Sequence, residues 1–261
     1  MSPPTVTNKG VKTKMTIYRN SFISPAEVPY NSVYSTSTSQ EFELGTILDL
    51  QDGRRFKYAL NGAVALAPGL MTQAAPPTAH HTNIATGAVS AAGQKVITID
   101  TTLSTALVKD EYAGGWIVIN DETGEGQCYA VVSNTAGTTG TVTIANDLVT
   151  ALDASSEFTL VRNPNRSVIV APTTKTAQVT GIPLVAVPAA SYCWLQVSGP
   201  APCLVDTGDT VVVGSPVGEP GTRGDAGACG VVGNDGTDNV WGVCMVVNAA
   251  TEYAVINLTL V

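Results

Sequence analysis

Histidine is almost missing from this 261-residue chain: only His80 and His81 occur, side by side in a Pro- and Ala-rich stretch. Neighbours on an extended chain point to opposite sides, so the pair does not converge on one metal ion, and no carboxylate or cysteine cluster adjoins it. We assign both to surface or packing roles. A Ser-His-Asp machine would have to take its base from that one stretch, and there is no GxSxG elbow, Walker loop, HExxH pair or GxGxxG opening a helix. Charge is scarce as well, at 13% of residues, and its balance of −8 argues against a nucleic-acid partner, which needs clustered Lys and Arg. The five cysteines (Cys128, Cys193, Cys203, Cys229, Cys244) are an odd number without a CxxC pair, which points to buried free thiols rather than a metal site or disulfide framework. No stretch has the length of a signal peptide or a bilayer-crossing helix, so we expect a protein made and used in a cytosol-like compartment, or released from it by lysis, with no membrane partner. These absences lead us to expect no enzyme, with no catalytic, cofactor-binding or metal-ligating residue.

What is present is a β pattern. Residues 1–40 are rich in Ser, Thr, Pro and Asn, with Tyr18, Phe22, Tyr30 and Tyr34 too widely spaced to form a core. They read as an extended N-terminal arm whose aromatics dock into a neighbouring subunit. Seven of the thirteen basic residues fall in the first 57 positions, which suits an arm lying on an acidic protein surface or, equally, a solvated tail. Residues 41–83 form a β-hairpin and connector. Phe42, Leu44, Leu48 and Leu50 share one parity, Asp52-Gly53 marks a turn, and Phe56, Tyr58 and Leu60 alternate with Arg55 and Lys57. Pro68, Gly69, Pro76 and Pro77 limit the connector to one short helical turn. Residues 84–163 carry strand-like runs at Val96–Ile99, Trp116–Ile119, Tyr129–Val132, Val142–Ile144 and Phe158–Val161, with one helical segment expected over Leu103–Tyr112. Residues 164–261 repeat the theme at Val168–Val170, Cys193–Val197, Val211–Val213, Val243–Val247 and Ala254–Val261. The fold class is all-β, with antiparallel barrel or sandwich modules behind the arm.

Two local patterns invite chemistry. Asp110, Glu111, Asp121, Glu122 and Glu125 gather around the Trp116 strand, an arrangement open to a glycan-cleaving acid pair or to calcium. Solvated turn carboxylates beside a core Trp are the plainer reading, and the run lacks regular calcium-loop spacing. Gly218, Gly221, Gly224, Gly227, Gly230, Gly233 and Gly236 recur every third residue, the period of collagen, but Pro220 is the lone proline within the run. A Gly-rich loop is favoured over an intertwined segment at a trimer axis, and Arg223-Gly224-Asp225 within it is taken as incidental.

Three stretches, FELGTILDLQDGRRFKYALNGAVALAPGLM, YAGGWIVINDETGEGQCYAV and SYCWLQVSGPAPCLVDTGDTVVVGSPVG, resemble the head decoration, or capsid cement, proteins of tailed bacteriophages. The resemblance rests on strand and turn patterns around Tyr192, Trp194, Gln196 and Gly199. It implies a virion structural protein on the outer capsid surface, a homotrimer bound to the major capsid protein. The long middle module is an elaboration that small decoration proteins lack. Two alternatives stay open: a tail or head-fibre component, and a receptor-binding or glycan-hydrolysing spike that uses Trp116.

Overall fold

Alternation of buried and exposed side chains dominates the computed structural model, which describes residues 22–23, 30–219, 224–232 and 239–260. The fold is almost entirely β, built from two curled sheets. The larger draws on both ends of the chain: β1 (Phe22–Ile23), β2 (Ile47–Asp49), β3 (Arg55–Leu60) and β4 (Thr72–Gln73), then β11 (Ile169–Val170), β12 (Val179–Pro183), β13 (Tyr192–Leu204), β14 (Pro216–Gly218), β15 (Gly230–Val231), β16 (Val240–Val246) and β17 (Tyr253–Thr259). Between β4 and β11 the chain builds the smaller, six-stranded sheet from β5 (Ile84–Ala85), β6 (Val96–Ile99), β7 (Trp116–Asp121), β8 (Cys128–Asn134), β9 (Gly140–Ile144) and β10 (Glu157–Val161), in the order β5-β10-β7-β8-β9-β6. The hairpin region and the C-terminal strands therefore share one sheet, with the smaller sheet inserted between them.

The hairpin forms as its period-two pattern requires. Leu48 faces Phe56, Asp49 faces Arg55, and Gly53 closes the turn at φ 88°. Leu48, Phe56 and Tyr58 are buried while Arg55 pairs with Asp49 at 2.5 Å outside. Tyr58 is the hub of the adjoining core, 5.0 Å from the Trp194 ring centroid, 5.3 Å from Phe42 and 5.8 Å from Tyr192. In the inserted module, Ile97, Ile99, Ile117, Ile119, Val131, Val142, Ile144 and Phe158 turn inward from successive strands and make a separate core.

Four expectations are corrected. Residues 30–40 do not extend away: Tyr30–Tyr34 is a 3-10 turn, Val33 is buried in the hairpin core, and Ser37 exchanges two backbone hydrogen bonds with Tyr192. Tyr18 and the rest of 1–21, with 24–29, lie outside the described residues. The helix over Leu103–Tyr112 is absent, because the Leu103 and Leu107 amides donate to Thr138 and Gly137 carbonyls and Asp110 adopts φ 57°. Its four-residue leucine spacing reflects two anchors of a loop on a sheet. Val211–Val213 is a turn rather than a strand, held when the Gly214 amide donates to the Cys244 carbonyl. Cys128 is exposed, whereas the other four free cysteines are buried.

The Gly-triplet run bends back on itself. β14 and β15 pair antiparallel, with Gly218 opposite Gly230. Residues so paired are about 5 Å apart, whereas twelve residues of triple helix would span about 37 Å. The described part of the segment between them, 219 and 224–229, is a loop; Gly221, Gly233 and Gly236 lie outside the described residues. Buried Asp206 pins this loop, accepting hydrogen bonds from the Gly224 and Asp225 amides at 2.9 and 2.7 Å.

Burial also raises the Cys193 thiol to about 12. Since the thiolate is the reactive form, one of the five cysteines, Cys128, is expected to react with a disulfide reagent at pH 8 in the native protein. The other four should follow only in denaturant. Time-resolved thiol titration checks this, and loss of the fast phase in Cys128→Ser identifies the residue.

Candidate functional site

Two surfaces stand out: the seam between the modules and the outer face of the large sheet. The seam is organised by Arg162, just after β10. Its Nε donates to Glu111 Oε1 at 2.9 Å, Nη2 donates to the same oxygen and to Thr78 Oγ1, and Nη1 donates to the Pro76 carbonyl at 3.3 Å. The guanidinium also lies over the Tyr112 ring, 5.7 Å from its centroid. One cation thus ties the Pro-containing connector to the inserted module, a task suited to a planar group with five donors. Burial, with the adjacent Glu111 carboxylate, pushes the Tyr112 phenol up to about 12, so it stays protonated near neutrality. Tyr112 Oη lies 2.6 Å from His81 Nδ1, and His81 Nε2 lies 2.9 Å from the Thr105 carbonyl. A carbonyl only accepts, so Nε2 carries the hydrogen and Nδ1 accepts the hydrogen bond that the phenol O–H donates. His81 is a buried packing residue here, and His80 is exposed on the opposite side.

Beside this clamp lies a cleft of about 560 Å³, lined by Trp116, Val161, Pro76, Pro77, Pro164, Gln178 and their neighbours. Trp116 was expected in a core but is 40% exposed. Ile117 and Ile119 occupy the inward parity of β7, which leaves Trp116 on the outward one. The acids expected around it are not gathered there. Glu111 is held by Arg162, while Asp121, Glu122 and Glu125 lie at or beyond the far end of β7, about 17 Å along the strand. Among the described residues, no three His, Cys, Asp or Glu side chains converge as a metal site. Thr78, Thr82, Thr159 and Asn163 in the cleft wall are engaged in hydrogen bonds within the chain, so the cleft presents mainly apolar surface.

The second surface is the outer side of β13, β17, β16 and β14. Register places Pro200, Asn257, Val243 and Pro216 in one row, Pro202, Val255 and Val246 in the next, Leu204 beside Tyr253, and Ser198 beside Thr259. The partners of opposite parity, Ala201, Cys203, Ala254, Ile256, Leu258 and Cys244, fill the core. None of the outward residues is charged. Val243, Met245, Val246 and Tyr253 are each more than 40% exposed, and the Val212–Val213 corner adjoins them. An antiparallel sheet with one wet face normally alternates apolar with polar residues. Here the outer face is uncharged and mostly apolar, with Ser198, Asn257 and Thr259 among the outward positions. The signal was present in VWGVCMVV, a run without alternation, and in residues 240–261, where Glu252 is the lone charge. Arg162 had a fainter signal as one of three basic residues among nine acidic ones in residues 84–163.

No family model, curated protein or solved structure matches this chain. No helix among the described residues is long and apolar enough to cross a membrane.

Replacing Arg162 by Met should leave the Glu111 carboxylate, 13% exposed, without its cation. The expected loss is about 2–3 kcal/mol, below that of a fully buried pair. Denaturant unfolding measures it, and Arg162→Lys should recover only part because Lys lacks the planar fork.

Proposed function

We propose that this chain is a structural subunit of a bacteriophage virion, decorating and cementing the outer capsid surface by binding the major capsid protein. The observation that carries the reading as an assembly subunit is the uncharged outer face of β13, β17, β16 and β14, whereas binding to the major capsid protein rests on the resemblance to decoration proteins. Contiguous exposed apolar patches on monomers seldom exceed a few hundred Å², and a β face without charge belongs inside an assembly. The resemblance to decoration proteins supplies the identity of that assembly and the homotrimeric state. Cementing suits the physics: many copies, each burying a modest area across a seam, stabilise a shell by multiplicity rather than by one tight contact. No reaction is assigned to the chain.

The test mixes purified protein with shells lacking it. Saturable addition, with a rise in shell melting temperature, is the expected result; full-length protein that ignores shells removes the proposal.

A receptor-binding spike is the second reading, favoured by one observation, the exposed Trp116 indole on a cleft. It predicts quenching or blue-shift of Trp116 emission by host-surface glycans, absent in Trp116→Ala. Unchanged emission across a glycan panel would count against it.

A further inference from the structure

We propose that the uncharged face of β13, β17, β16 and β14 is the contact between copies of this chain, with Val243 at its centre. The inference rests on reading the chain as an assembly subunit, and it assigns this face to self-association rather than to the shell.

Three observations point to a second copy as the occupant. The first is charge: a chain of net charge −8 repels its own copy wherever acidic residues face one another. On this face they do not, since the strand segments 198–204, 240–246 and 253–259 and the 210–218 segment contain no Asp, Glu, Lys or Arg. The second is the kind of polar group left on it. Ser198, Thr259 and Asn257 carry hydroxyl and amide groups that both donate and accept. Such groups pair with their own copies across a symmetry axis, which a carboxylate or an ammonium cannot do. The third is size. Outward positions of β13, β17 and β16, with Pro216 of β14 at the edge, cover about 15 Å by 20 Å. With side-chain relief and the Val212–Val213 corner, the accessible area approaches the roughly 800 Å² per partner of a standard interface.

The face is also rigid. β17 is paired along its whole length to β13 and over Val255–Leu258 to β16. A Cβ on Gly242 would stand 2.0 Å from the Asn257 carbonyl oxygen, so the two strands are in close contact beneath the patch. Ordering a face already fixed costs little entropy on association.

The experiment is sedimentation velocity and light scattering on the full chain, wild type beside Val243→Lys, with shell addition measured on the same samples. Val243 points outward, so Lys fits the isolated subunit, whereas in a symmetric contact it brings like charges together. Wild type should be a closed oligomer at micromolar concentration. Val243→Lys should be a monomer, its dissociation constant raised at least about 100-fold. Asn257→Lys, at a position already polar and exposed, should do the same and serves should Val243→Lys fail to fold. Val161→Lys, an exposed apolar site on the inserted module, should leave the oligomer intact. A wild-type monomer overturns the inference, as does an oligomer that both face variants leave unchanged. A wild-type monomer that adds to shells, and loses this with Val243→Lys, would assign the face to the shell instead. Failure of the capsid reading looks different: an oligomer dispersed by Val243→Lys that never adds to shells keeps this contact and removes the cement role.

Discussion

The thirteen residues of β13 hold the large sheet together. Its first half pairs with β3 and β12 and its second half with β17, so one strand joins chain segments nearly 200 residues apart in sequence. Inward positions of this strand feed three of the four hydrophobic clusters: Trp194 packs with Tyr58, Cys193 and Leu195 with Val168 and Val187, Ala201 and Cys203 with Ile256 and Trp241. The first half of the strand is buried on both faces, so a register slip of one residue would exchange Trp194 with Cys193 and Leu195 between two different cores, and in the second half it would move Ala201 and Cys203 outward. The outward row depends on the same register, because Pro200, Pro202 and Leu204 fall on the outer face when Ala201 and Cys203 are buried. Core and proposed contact are thus two sides of one pairing.

Much of this was legible in the residues. Period-two alternation located the 41–60 hairpin, and most strands of the inserted module lie where short β-branched runs stand between Gly- and Thr-rich turns. Where reading failed, a local pattern had two physical explanations. Leu103 and Leu107 have helical spacing, yet each anchors a loop by bonding to the Gly137–Thr138 backbone. The Val211–Val213 run looks like a strand, yet Gly214 turns it over onto Cys244. Trp116 fits a core by size, but parity in β7 had already given the inside to two isoleucines. Partners distant in sequence settled each case.

The candidate surfaces were less legible than the fold, for a related reason. The acidic residues near Trp116 are close in sequence but are spread along a strand by its rise, and one is captured by Arg162. Arg162 itself stands alone in sequence, and its role comes from the connector folding back over β10. The uncharged face was written plainly in VWGVCMVV, but an unbroken apolar run signifies either a strand buried within its own fold or one awaiting a partner. Topology decides between them: nothing in this chain covers that side among the described residues.

The insertion leaves and re-enters the large sheet at adjacent strands, since Gln73 pairs with Ile169. About 95 residues lie between them, and at the returning end Asn165 and Val168 still belong to the host, bonded to Leu60 and Gly62. The entropy of closing so long a loop grows only as the logarithm of its length, about 0.6 kcal/mol per doubling. A module with its own core can therefore be lengthened or exchanged within residues 84–161 while the host sheet keeps its register. That makes the insert the part of the chain freest to change without disturbing the large sheet.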